Sequence, residues 1–176
     1  MTATRMTGYD RSMLKLMNDP AGRPLYATAA RRRVVVAVHV ALTVAMEVLM
    51  AYFYLSKAEP LWAAIATAVL LLPWMVATGV INGATRGLLE LRERALDERQ
   101  SAERRRILAV SHRAMTLLLA AAVAGLLIVG GVGGDALRAY VAPVLVAVLV
   151  THWLMPLWVA GLMAQDEPVE DEAPAG

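Results

Sequence analysis

Four long apolar runs constrain this chain more than any other feature: Val34–Leu55, Leu61–Ile81, Ala114–Val132 and Ala139–Met163. Each has about the 17–25 residues that an α-helix needs to cross the hydrocarbon of a bilayer. Lipid offers nothing to bond a bare peptide group, so such runs fold as helices that satisfy their own backbone. The expected fold class is all-α: a polytopic four-helix transmembrane bundle.

Composition agrees, because 59% of the 176 residues are hydrophobic against about 45–50% in an ordinary soluble domain. The absence of cysteine removes disulfides, thiolate metal sites and thiol nucleophiles. Fifteen of the seventeen basic residues are arginine, a bias that fits a GC-rich bacterial genome and warns against giving every arginine a role.

The arginines set an orientation. Residues 1–33 hold seven basic side chains and residues 83–113 hold eight. The two intervening connections offer little more than Lys57 and Arg138. Basic residues mark the cytoplasmic side of a membrane protein. The expectation is therefore an inner (cytoplasmic) membrane protein with both termini in the cytoplasm. Its parts are a cytoplasmic arm (1–33), a transmembrane hairpin (34–82), a charged amphipathic cytoplasmic segment (83–113), a second hairpin (114–163) and an acidic cytoplasmic tail (164–176). An arm this long reads as an anchor for the first span rather than as the n-region of a cleaved signal.

Within the arm, Met13, Leu14, Leu16 and Met17 beside Arg11 and Lys15 suit either a short amphipathic helix on the membrane surface or a disordered arm. Asn18–Gly22 is a turn signal. Tyr52-Phe53-Tyr54 and Trp62 form an aromatic belt at the outer interface, and Glu59-Pro60 makes the tight turn between the first two spans. Between the second and third spans, Glu90 and Arg94 stand in favourable acid-first i,i+4 order, which predicts a helix over about 86–95. Asp97 with Gln100 resembles a capping box, so a second helix is expected from about Glu98 straight into the third span: a helical cytoplasmic excursion. Arg31, Arg32, Arg33, Arg104, Arg105 and Arg106 fall at the inner headgroups, as topology anchors or as contacts with anionic lipid. Ala121 and Gly125 have the small-residue spacing that lets helices approach closely. The glycines at 130, 131, 133 and 134 are expected to end the third helix and form the outer turn. Pro73, Pro143 and Pro156 lie inside spans, where neighbouring helices can re-satisfy the freed carbonyls.

Polar residues inside the spans are costly and therefore informative. Glu47 lies roughly 4–5 Å to the outer side of the middle of helix 1, and His152 roughly 1–2 Å to the inner side of the middle of helix 4. His39, Thr43 and Glu47 follow one another at four-residue spacing and form a polar stripe. Two readings of Glu47 and His152 are open: a buried polar pair that holds helices 1 and 4 together, or a proton- or cation-responsive site with Glu47 as its titrating group. A third places Glu47 toward headgroups or an outer funnel of water. His39 and His152 as axial haem ligands differ in depth by roughly 6 Å, which disfavours them. No cofactor and no metal is expected, and no phosphate loop, nucleophile elbow or zinc motif is present.

The segment Leu96-Asp97-Glu98-Arg99-Gln100, ahead of an arginine-rich lead into a span, resembles one in uncharacterised small four-span membrane proteins of bacteria and archaea, where an Asp-Glu-Arg segment precedes a late span. That resemblance implies the layout and no activity. Glu47 in helix 1 of four is similar in position to the essential carboxylate of the small multidrug resistance transporters. This second resemblance implies proton-coupled transport, although the long inner loop, the 33-residue arm and the two prolines of the last span depart from that family.

The functional expectation is a non-enzymatic integral membrane protein, without an evident catalytic site, that acts through protein partners as an accessory or regulatory subunit. The alternative is a small proton-coupled transporter using Glu47. The expected partners are the lipid bilayer, a cytoplasmic or membrane protein meeting residues 83–113, and a second copy in a homo-oligomer. No nucleic acid is expected.

Overall fold

The computed structural model describes residues 7–17, 22–56, 61–93 and 96–164. Among the described residues there are six helices: α1 (Gly8–Met17), α2 (Arg23–Tyr26), α3 (Ala29–Ser56), α4 (Leu61–Ala84), α5 (Glu98–Val132) and α6 (Gly134–Met163). The last four are long and apolar enough to cross a membrane. The chain is an all-α, multi-pass membrane protein built on a four-helix bundle, and no strand occurs among the described residues.

The bundle is not closed evenly. Helices α3, α4 and α6 pack on one another, whereas α5 lies along α6. The tightly packed part sits toward the arginine-rich end. There Val36, Ile81, Leu154, Leu157 and Trp158 form one buried cluster, and Leu88, Ile107, Val159 and Ala160 form a second. Gly161 lets the three helices meet: a Cβ at that position would lie 2.8 Å from Val36 and 3.0 Å from Ile81. Toward the other end the helices carry outward-facing apolar side chains such as Val48, Val69, Leu127 and Leu145, as surfaces in contact with lipid do.

The arginine-rich end is held by backbone chemistry. Arg32, almost fully buried, donates from Nη2 to the carbonyl of Ala164 at 2.7 Å and from Nη1 to the carbonyl of Tyr26 at 3.1 Å. A cation thus meets the negative end of α6 and occupies a carbonyl that the helix leaves without a partner. Helix α4 stops in a Schellman turn, with Gly87 N–H bonded to the carbonyl of Asn82 at 2.8 Å and Arg86 N–H to that of Gly83 at 3.0 Å. Both Arg86 (φ 53°) and Gly87 (φ 68°) adopt the left-handed conformation. The Asp97–Gln100 capping box is complete, with reciprocal bonds of 2.7 and 3.0 Å, and α5 runs from it without a break into the third span.

Three expectations are corrected. The helix expected over about 86–95 is not formed over residues 86–93, which make a series of turns followed by a 3₁₀ residue at Glu93; 94 and 95 lie outside the described residues. The left-handed pair at Arg86–Gly87 has already turned the chain, and Arg104 holds the segment by donating to the carbonyl of Leu91 at 2.9 Å. Helix α6 begins at Gly134, five residues before the apolar run, so only Gly133 separates it from α5. The spacing of Ala121 and Gly125 produces no close approach within the chain, because both face outward. In the arm a helix is formed, α1 over Gly8–Met17, and its Tyr9 ring lies 5.3 Å from the Arg92 guanidinium. The turn signals at Asn18–Gly22 and Glu59-Pro60 and the Glu90–Arg94 pair fall wholly or partly outside the described residues.

Candidate functional site

Two polar features lie inside the spans. The first is a network around His39, one of the most deeply buried side chains. Trp158 Nε1 on α6 donates to His39 Nδ1 at 2.8 Å, and His39 Nε2 lies 2.8 Å from Thr78 Oγ1 on α4. An indole N–H can only donate, so Nδ1 must accept and Nε2 must carry the ring proton. Thr78 accepts that hydrogen bond and donates its own hydroxyl to the carbonyl of Trp74 at 2.9 Å. Thr43 donates to the carbonyl of His39 and accepts from Trp74 Nε1, both at 2.9 Å. The Trp74 ring lies over His39 with centroids 4.9 Å apart, and Trp158 meets the imidazole edge-on at 6.1 Å. Three helices are thereby joined by groups that leave no ring nitrogen or indole N–H without a partner. With both nitrogens engaged, His39 has no lone pair to offer a haem iron.

The second feature is Glu47, two turns further along α3. Its Oε1 is buried and has no hydrogen-bond partner. It lines a cavity of about 140 Å³ between α3 and α6, together with Met50, Ala51, Tyr54, Ala142, Pro143, Val146 and Ala147. Apart from the Glu47 carboxylate and the Tyr54 hydroxyl, the lining side chains are apolar. His152 does not reach this cavity. It stands exposed on the outer surface of α6, so the pair expected between Glu47 and His152 is not formed within the chain. The stripe of His39, Thr43 and Glu47 is therefore split: the first two belong to the satisfied network, and the third stands alone.

The six arginines at the basic end divide similarly. Arg31 donates to the carbonyl of Pro24, while Arg32 and Arg104 make the backbone bonds given above. Arg33, Arg105 and Arg106 are exposed. A larger cavity of about 520 Å³ opens at this end, lined among others by Arg23, Tyr26, Arg32, Arg86, Asp97 and Arg99. It lies where α2, the turn after α4, the start of α5 and the end of α6 converge.

Trp74, Thr78 and Trp158 escaped the sequence reading as partners of His39. Their signal was available in part: Trp74 and Thr78 are one helical turn apart, and Trp158 falls at the depth of His39 in an antiparallel helix. Among the described residues no group of three or more His, Asp or Glu side chains could hold a metal ion. No family model, curated protein or solved structure matches the chain significantly. The class that fold and site define is thus a multi-pass membrane protein on a four-helix bundle, with a buried, unpartnered carboxylate oxygen in a span among the described residues.

Proposed function

We propose that this is a non-enzymatic protein of a bacterial cytoplasmic membrane, with both termini in the cytoplasm, that acts through protein partners as an accessory or regulatory subunit. The observation that carries this reading is the build of the arginine-rich end. Its turns, caps and buried guanidinium fix a charged surface around a 520 Å³ cavity, and a fixed surface binds without first having to be ordered. A photo-crosslinking residue in place of Glu103, which lines the same cavity, in full-length protein in its native membrane, tests it. A discrete adduct that disappears in Arg99→Glu supports the reading; a pattern unchanged by that substitution counts against it.

A second reading, proton-coupled transport through Glu47, is favoured by the unpartnered Oε1 in its own cavity. A carboxylate placed so could exchange a proton for a cationic substrate. Reconstituted wild-type protein should then release protons on addition of a lipophilic cation such as tetraphenylphosphonium, and Glu47→Gln should abolish that release.

A further inference from the structure

Among the described residues, Glu47 and His152 each stand inside a span with a polar atom that no partner satisfies; Asn82 Oδ1, at the basic end of α4, is a third such atom. Glu47 Oε1 is buried in the cleft between α3 and α6. His152, exposed on α6, has no hydrogen bond to any described residue. Exposed leucines in a span need no explanation, because lipid covers them. A carboxyl oxygen and an imidazole do, because hydrocarbon supplies neither donor nor acceptor.

Their depths match more closely than sequence position alone suggests. Val36 meets the Gly161 position and His39 meets Trp158. Carried along the antiparallel pair, that register sets Glu47 level with Val150, so His152 lies two residues, or about 3 Å, nearer the basic end.

The two groups also flank the same open face of α6. Ala142 and Val146 on the α3 side line the Glu47 cavity. His152 lies seven residues before Val159, which is buried in one cluster with Ile107 of α5, and so belongs to the α5 side. Leu149 and Trp153, both exposed, lie between these borders. A two-fold axis along the membrane normal, passing in front of this face, brings the α3 border of one copy against the α5 border of the other. Such an interface is self-complementary, so each contact occurs twice.

We propose that the chain forms a parallel homodimer through α6, in which the Glu47 carboxyl of each copy receives the His152 imidazole of its partner. The occupant of the cleft is a second copy because the chain itself carries the complementary group, at the right depth and on the right border. This proposal is independent of the reading of the basic end.

The chain lacks cysteine, so Leu149→Cys introduces a single thiol close to the proposed axis. The full-length variant, oxidised in phosphatidylethanolamine–phosphatidylglycerol vesicles over a range of protein-to-lipid ratios, should yield a covalent dimer. Leu117→Cys, exposed on α5, should stay monomeric. His152→Leu in the Leu149→Cys background should weaken association by about ten-fold, the scale of polar contacts between helices made twice. Because His152 is exposed, this substitution leaves the protomer's packing intact, which an unchanged thermal melt of its helical signal checks. Exchange of the two groups, Glu47→His with His152→Glu, should restore association. A monomeric Leu149→Cys, or one whose cross-linking is insensitive to His152→Leu, overturns the proposal and leaves Glu47 as an isolated carboxyl facing its cavity.

Discussion

At the scale of single residues, the network around His39 is an arrangement in which each hydroxyl both gives and takes. A group removed from it orphans a neighbour, and an unpaired buried polar group costs about 1–3 kcal/mol in a protein interior and somewhat less between membrane helices. Trp158→Phe keeps the ring and deletes the N–H, leaving His39 Nδ1 without a donor. We expect it to destabilise the protein by about 1–2 kcal/mol, read from unfolding in mixed micelles. Thr43→Val leaves Trp74 Nε1 without an acceptor and should cost about 1 kcal/mol by the same measurement. The two substitutions should not add, because both act on His39 and the rings around it. The sequence marked His39, Thr43 and Glu47 as costly residues on one helix face. It could not say which of them would be satisfied, because the partners come from other helices and depend on how those helices rotate about their axes. The same rotation turned His152 outward, away from the carboxylate whose depth it nearly shares.

At the scale of elements, the spans were legible and their connections less so. An apolar run and the spacing of a capping box are local signals, and α5 begins where Asp97 and Gln100 predicted. The stretch after α4 misled because it has helical composition: leucines among charges, acid before base. Two left-handed residues outweigh that composition, and Gly87 is the one on which packing also insists. An added Cβ there would lie 2.6 Å from Met17 Cγ on α1 and would strain the backbone at φ 68°. Gly87→Ala should therefore cost about 1–2 kcal/mol and loosen α1, seen as faster hydrogen exchange over 8–17 with α5 unaffected. Asp97→Ala removes the other boundary and should cost about 1 kcal/mol, with fraying confined to the first turn of α5.

At the scale of the whole molecule, the proposed orientation rests on the asymmetry of charge, and single-thiol variants test it. In intact cells a membrane-impermeant maleimide should label Ser56→Cys at the end of α3 and spare Ala102→Cys near the start of α5; the reverse pattern would invert the protein. The proposed orientation comes from the sequence alone, because the basic residues cluster in two stretches of it. The uneven closure of the bundle is not legible there, since it depends on which helix pairs meet, and Gly161 is the position that lets α3, α4 and α6 converge. The bond from Arg32 to the carbonyl of Ala164 also bears on how the protein is made. It ties α3 to the end of α6 across 132 residues, so the acceptor is synthesised long after the donor. A chain stalled after α5 holds the Arg32 guanidinium with that carbonyl still missing, so the basic end closes only once α6 has been made.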